Sequence, residues 1–491
     1  MASSHPRTVV LGFDGIDAQL TEALLRQGCL PNLKAMAELG GFHRVLSTTP
    51  AESAVAWASF ATGANPGRTG VFDFIERQPG TYSPRLAGSE AYTELTPMGP
   101  RWAGVGLGSA AGAATGYLTA RRMTRREWIK GCALAVGAGL GLMGTGVPLV
   151  RWLPRQVERV RSTVAGQTWW DRLSEMGRRC TVLRMPMTYP AHAASHVELL
   201  AGLGVPDLRG TQGTYCVITD GPGDRCGHGE VCRVEWKRDQ CEVAVGGGRE
   251  VYATMKLKRL GEDAVRTLCG GTSQILRRGE WSGWLPLKFA ASPLATNRGM
   301  VRVHFCQEAA GMRLYVTPAE WDPTWPIEEN PISSPAGFAR EVCQGVGRYH
   351  SLGWETQTWG LTDGVLDEEA YLADVRAALE WNEAQLEWGL QRAVWDELML
   401  VVQATDQVQH LFFDDAAVAM RKGGKVDEGH PLVEVYRRMD RMVGRVLNQA
   451  KSEGWRVVVM SDHGFAPYRR AANLNTWLAK RGWLAPRTCT A

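Results

Sequence analysis

The stretch Val457-Val458-Val459-Met460-Ser461-Asp462-His463-Gly464-Phe465 joins a short β-branched run to an acid–histidine pair. A run of this kind reads as a buried strand of a parallel sheet. The arrangement occurs twice more: Val9-Val10-Leu11-Gly12-Phe13 runs into Asp14, and Leu398-Met399-Leu400-Val401-Val402 runs towards Asp406 and His410. Ligands of open α/β sheets sit beyond the carboxyl ends of the strands. The three runs therefore predict an α/β fold: a mostly parallel central sheet with helices on both faces. They also predict that Asp14, Asp406, His410, Asp462 and His463 meet at one sheet edge. Asp406 and His410 are spaced to share one helical face. One Asp–His pair is most often an ordinary hydrogen bond, but three acidic sites at three strand ends coincide less readily. Mixed carboxylate and imidazole donors suit two divalent metals, Zn²⁺ first, with Mn²⁺ or Fe as alternatives.

Outward from these runs the chain divides into five segments. Residues 1–100 and 166–206 read as the first part of the α/β core, with Pro31 in the first turn of a helix through about Leu39. A Trp-rich helix around Trp169–Met176 precedes a strand at Thr181–Met185. Residues 101–165 hold two uncharged stretches, Trp102–Ala120 and Gly131–Val150, on either side of Arg121-Arg122-Met123-Thr124-Arg125-Arg126. Two uncharged stretches of about 20 residues around a basic loop predict an apolar helical hairpin that crosses or contacts a membrane, with the loop on the cytoplasmic side. A buried Gly/Ala-rich helix pair is the alternative. Residues 207–345, rich in Gly, Pro and Trp with short alternating runs, predict a β-rich cap or insertion. Residues 346–491 return to the core: a long helix from Asp367 to Glu397, then one over 431–453 ended by Gly454.

Composition narrows the function classes. The chain has 491 residues, enough for more than one structural unit, and a formal charge of only +4. No basic stripe with interleaved aromatics occurs, so a nucleic-acid polymer is not expected as partner. The 11 cysteines form no even framework and read as reduced thiols. Cys226, His228, Cys232 and Cys241 lie close in sequence but lack paired zinc spacing, so a loop-rich insertion with free thiols is favoured over a small zinc site. Thiol usage favours the cytoplasm and the hairpin favours membrane association, the latter carrying more weight.

A nucleophile candidate lies in Thr48-Thr49-Pro50-Ala51-Glu52-Ser53-Ala54-Val55-Ala56-Trp57, where helix formers begin after Pro50 and stop at Gly63. Ser53 falls in the first turn, where the helix N-terminus favours a developing alkoxide and holds phosphate. The competing reading is that Ser53 only caps the helix.

Phe13-Asp14-Gly15-Ile16-Asp17, the Ser53–Gly63 segment with Asn65-Pro66-Gly67, Thr405-Asp406-Gln407-Val408-Gln409-His410, and Ser461-Asp462-His463-Gly464-Phe465 together resemble the alkaline phosphatase superfamily. The likeness is to its type I phosphodiesterase/nucleotide pyrophosphatase branch. It covers both ends of the chain and is thinner through the middle. It implies a phosphoric ester hydrolase acting on a small phosphate ester through a covalent intermediate on Ser53. It further implies one zinc on Asp14, Asp462 and His463, and a second on Asp406, His410 and a third histidine. No histidine follows His463. The expectation is a chain lacking the usual C-terminal portion, completed by a partner chain or a substitute ligand. His430 is the nearest candidate, read as a solvated loop residue. A sulfatase reading is disfavoured, because Cys29-Leu30-Pro31 sits in the wrong place. The rivals to a diesterase are a phosphomonoesterase and a non-catalytic, membrane-associated fragment of such an enzyme.

Overall fold

The computed structural model describes residues 6–81, 83–97, 154–221, 226–246, 252–292, 295–306, 311–325, 330–392, 394–468 and 470–485. These fall into two compact units, Met1–Ser89 with Ser162–Ala491, and Glu90–Arg161. The predicted hairpin stretches Trp102–Ala120 and Gly131–Val150 lie outside the described residues. Among the described residues no helix is long and apolar enough to cross a membrane. In the smaller unit, the strands Ser89–Pro97 and Pro154–Ser162 pair and carry the ion pairs Arg159–Glu94 and Arg161–Glu90.

The larger unit is built on a six-stranded sheet, ordered Ser333–Ser334, Val197–Ala201, Cys180–Met185, Glu397–Val402, Thr8–Phe13, Arg456–Met460. Every pairing is parallel except that of Ser333–Ser334 with Val197–Ala201. Side chains alternate across each strand, and the packing follows. Val182, Met399 and Val401 meet Trp57 and Trp170 of the helices Ser53–Thr62 and Trp169–Glu175 on one face. Leu183 and Leu398 meet Gly389 of the helix Glu368–Gln391 on the other. Five strands of one direction need crossover connections; helices lie on them except between Cys180–Met185 and Val197–Ala201, which residues 186–196 join without one.

Local signals in the sequence account for most helix ends. Asp367 caps the long helix by accepting from Ala370 N–H, and that helix stops at Gln391, short of the expected Glu397. The helix Pro431–Glu453 starts with proline at its first position and ends at Gly454, whose φ of +70° suits glycine. Thr168 and Asp171 form a capping box before the Trp-rich helix.

Two expectations are corrected. Arg456–Met460 is not a buried strand: it is the sheet edge, and Val458 is 45% exposed. β-branched residues serve an edge as well as a centre, so the run could not tell the two apart. His430 is not a solvated loop residue: it is buried and caps the helix Pro431–Glu453. Its Nδ1 accepts the Leu432 N–H at 3.2 Å and its Nε2 lies 3.2 Å from Asp414, so both ring nitrogens are engaged. Cys226, Cys232 and Cys241 carry thiols, not disulfides, the reading favoured for that segment. His228 pairs with Asp363 at 3.0 Å and stacks on Trp359. Among the described residues those four form no metal-ligating group.

Between the core segments, residues 216–321 carry short strands, paired antiparallel except for Cys216–Thr219 with Glu230–Arg233. The meander Gln240–Gly246, Tyr252–Arg259, Ala264–Cys269 and Thr272–Arg277 buries one face, with Val243, Val245, Met255, Leu257 and Val265 against Leu285, Leu287 and Phe289.

Candidate active site

The strand register aligns the ends that matter. Phe13 pairs with Val402 and Gly12 with Met460, so Asp14, the helix Ala404–Phe412 and Asp462 emerge at the same edge. Hydrogen bonds then lock the three exits together. Thr405 Oγ1 donates to Asp14 O at 2.7 Å, Gln409 Nε2 donates to Gly15 O at 2.7 Å, and Gly15 N–H donates to Asp462 Oδ1 at 3.1 Å. Gly15 has φ +68°, and a Cβ there would sit 2.5 Å from Asp406 Oδ1. Only glycine allows the first loop to approach the Asp406 helix so closely.

The helix Ser53–Thr62 brings the nucleophile candidate to this edge. Ser53 does not cap it: Glu52 holds the cap position, and no side chain caps there. The Ser53 hydroxyl instead donates to Asp14 Oδ1 at 3.0 Å and lies 2.8 Å from His463 Nε2. The tautomer of His463 follows from its other nitrogen. Nδ1 lies 2.8 Å from Gly464 O, and a carbonyl only accepts, so Nδ1 carries the hydrogen and the neutral ring offers a lone pair at Nε2. A backbone carbonyl behind Nδ1 is also the usual support of a metal-ligating histidine.

His463 Nε2 stands 3.5 Å from Asp14 Oδ1, 3.5 Å from Asp462 Oδ2 and 4.0 Å from Asp406 Oδ1. Donor atoms of Asp14, Asp406 and His463 all lie within 4.8 Å of one another, so the group can hold a metal ion. Asp406 faces Asp14 and His463 as well as its own His410, at 3.3 Å. His410 stays half-exposed on the cavity wall, its ring edge against Phe465. Its imidazole titrates above its ordinary value, chiefly because it hydrogen-bonds Asp406.

The residues fit a cation. Asp14 and Asp462 are buried, and Asp406 Oδ1 and Asp462 Oδ2 have no hydrogen-bond partner in the protein. Burial, followed by the charges of Asp462 and Asp406, raises the Asp14 carboxyl well above its usual range. Burial pushes Asp462 up to about 7. The cavity over the site has a volume of about 470 Å³, and its described lining includes Asp14, Glu52, Asp406, His410 and His463 but neither lysine nor arginine. Carboxylates crowded in this way repel one another and any anionic ligand until a cation neutralises them.

The pH consequence can be measured. A carboxyl whose folded value is raised stabilises the fold fully below its unfolded value near 4 and loses that contribution as pH rises through the folded value. For Asp462 the window runs from about 4 to about 7. Chelator-treated protein is expected to melt several degrees lower at pH 8 than at pH 5.5, and divalent metal should restore the melting temperature at pH 8. A chelated protein equally stable at both pH values would contradict the carboxylate crowding.

Three features were missed in the sequence. Glu52 lines the cavity directly before Ser53, Gln403 lines it directly after the strand Glu397–Val402, and Trp57 Nε1 donates to Asp14 Oδ2 at 2.9 Å. The strand-end rule that picked out Asp14 could have flagged Gln403. Nothing local marks Trp57 as a partner of a residue 43 positions away. The cavity lining also includes Phe74, Leu203, Trp354, Phe413, Phe465 and Tyr468.

None of the curated proteins and none of the solved structures compared matches the chain. A family model does match, over residues 8–217 and 300–488, and the interval it leaves out holds the meander Gln240–Arg277. The matched residues include all five ligand candidates and Ser53, and with well over half of the chain covered, the protein belongs to the type I phosphodiesterase/nucleotide pyrophosphatase family of hydrolases.

Proposed function

We propose that this chain hydrolyses small phosphate esters, diesters ahead of monoesters, through a covalent phospho-serine on Ser53. The observation that carries the proposal is the Ser53 hydroxyl, held between Asp14 Oδ1 and His463 Nε2 in the first turn of a helix and lining the cavity. Two divalent metals, zinc first, one on Asp14, Asp462 and His463 and one on Asp406 and His410, would neutralise the transferring group and favour the ionised hydroxyl.

The remaining steps belong to the chain itself. Asp14 Oδ1 and His463 Nε2 position the Ser53 hydroxyl, and its proton passes to solvent as the bond to phosphorus forms. Ser53 Oγ forms a bond to phosphorus as the bond from phosphorus to the leaving oxygen breaks, and the leaving alcohol departs with a proton. Water then attacks the phospho-serine and returns the hydroxyl. The helix N-terminus stabilises negative charge on Oγ throughout. Trp354, Phe413 and Phe465 offer an apolar wall for a second ester substituent, which favours diesters.

The test is turnover of bis(p-nitrophenyl) phosphate against p-nitrophenyl phosphate and p-nitrophenyl sulfate, with metal-loaded and chelated protein. Diester turnover that vanishes on chelation is expected, and none with any metal tried would sink the proposal. Asp462→Asn is expected to carry at least one metal equivalent fewer than the unaltered protein by elemental mass spectrometry. Equal metal content would remove Asp462 from the ligand set.

A further inference from the structure

The helix Ala404–Phe412 and its N-cap carry three buried glutamines, and they are used differently. Gln409 is engaged at both ends, its Nε2 on Gly15 O at 2.7 Å and its Oε1 accepting from Tyr436 Oη at 3.0 Å. Gln407 Oε1 accepts the Thr356 N–H at 3.0 Å. Gln403 is 2% exposed, yet neither its Oε1 nor its Nε2 has a partner in the protein. Buried side-chain polar atoms are satisfied in the large majority of cases, and an unsatisfied one is penalised.

Gln403 occupies the N-cap position, where a side chain would ordinarily bond the first turn, but its own makes no such bond. Glu355 takes that task from a distant part of the chain. Its Oε1 accepts the N–H of Gln403 at 3.1 Å and of Ala404 at 3.0 Å. The Gln403 backbone is therefore pinned while its amide has no structural duty. The residue lines the same cavity as Asp14, Ser53, Asp406 and His463. The described cavity lining offers no lysine or arginine, so neutral donors must supply part of the recognition of an anionic group.

We propose that the Gln403 amide N–H binds the substrate, donating a hydrogen bond to a non-bridging oxygen of the phosphoryl group; this rests on the phosphate-ester reading of the site. A neutral donor recognises the anion without adding a competing cation for the carboxylates. No bond to Gln403 forms or breaks. Its amide is satisfied when substrate is bound and unsatisfied when it is not.

The experiment uses the metal-loaded full chain and the variants Gln403→Met, Gln403→Glu and Ser53→Ala. Three quantities are read: kcat and KM for bis(p-nitrophenyl) phosphate, inorganic phosphate affinity by calorimetry, and melting temperature. Gln403→Met keeps the shape and removes the donor. It is expected to lower kcat/KM and phosphate affinity tenfold or more, with melting temperature unchanged or higher. Gln403→Glu, which places an anion there, is expected to lose more than Gln403→Met. Retention of both kcat/KM and phosphate affinity within twofold in Gln403→Met overturns the proposal. So does a marked fall in its melting temperature, which would give the amide a structural partner. If the unaltered protein turns over no phosphate ester, or Ser53→Ala stays active, the catalytic reading fails separately, and phosphate affinity alone decides the role of Gln403. If the unaltered protein shows neither ester turnover nor phosphate binding, both readings are overturned.

Discussion

Ser53→Ala is expected to reduce phosphate-ester turnover by about 10⁴–10⁶-fold, the scale seen when a covalent nucleophile is removed. The size follows from geometry. The hydroxyl is buried with Asp14 and His463 at hydrogen-bond distance on two sides. No other serine or threonine is among the described residues lining the cavity. Alanine is a good helix former and Glu52 holds the cap position, so the helix Ser53–Thr62 should persist. The metal content of the variant should equal that of the unaltered protein, because Asp14, Asp406, Asp462 and His463 remain in place. The assay is turnover with the diester substrate, paired with elemental analysis. Activity within tenfold of the unaltered protein would exclude Ser53 as nucleophile and leave activated water as the attacking group.

Glu355→Ala is expected to destabilise the fold by about 3–5 kcal/mol, as when one partner of a buried ion pair is deleted. Glu355 and Arg184 are both buried and 3.0 Å apart. The same carboxylate accepts from Gln403 N–H, Ala404 N–H and Asn382 Nδ2. Alanine would strand the Arg184 guanidinium, which still donates to His350 O and Leu352 O but loses its counter-charge. It would also release the start of the helix that carries Asp406 and His410. Glu355→Gln keeps an oxygen for the two backbone donors and loses only the charge, so it should be the milder change. Urea denaturation of the full chain measures both, and metal affinity should fall in the same order. A loss below about 1 kcal/mol for the alanine variant would mean that other groups hold the helix start.

Glu355 and Gln403 show why the site was only partly legible. Asp14, Asp406, His410, Asp462 and His463 stand out because each follows an apolar run that reads as a strand, and the end of a strand is a local signal. Ser53 stands out because Pro50 and Gly63 frame its helix. The partners that make these residues useful carry no such mark. Trp57 and Gly15 serve Asp14 and Asp462 only through the tertiary fold, across 43 and 447 positions. The spacing of Asp406 and His410 on one helix is a local signal, whereas the pairing of Thr8–Phe13 with Glu397–Val402 is what brings Asp406 beside Asp14 and His463 as well.

The sequence by itself determined the class of fold, the strands that end in ligand candidates, the helix ends set by Asp367, Pro431 and Gly454, and the family. These rest on periodicity and on backbone preferences that a few neighbouring residues carry. Only the tertiary structure decided that Arg456–Met460 is an edge, that His430 is a buried cap, and that Glu355 closes a helix 49 residues away and leaves the Gln403 amide free. Burial and hydrogen-bond satisfaction depend on groups brought together from distant parts of the chain, and no local window contains both partners.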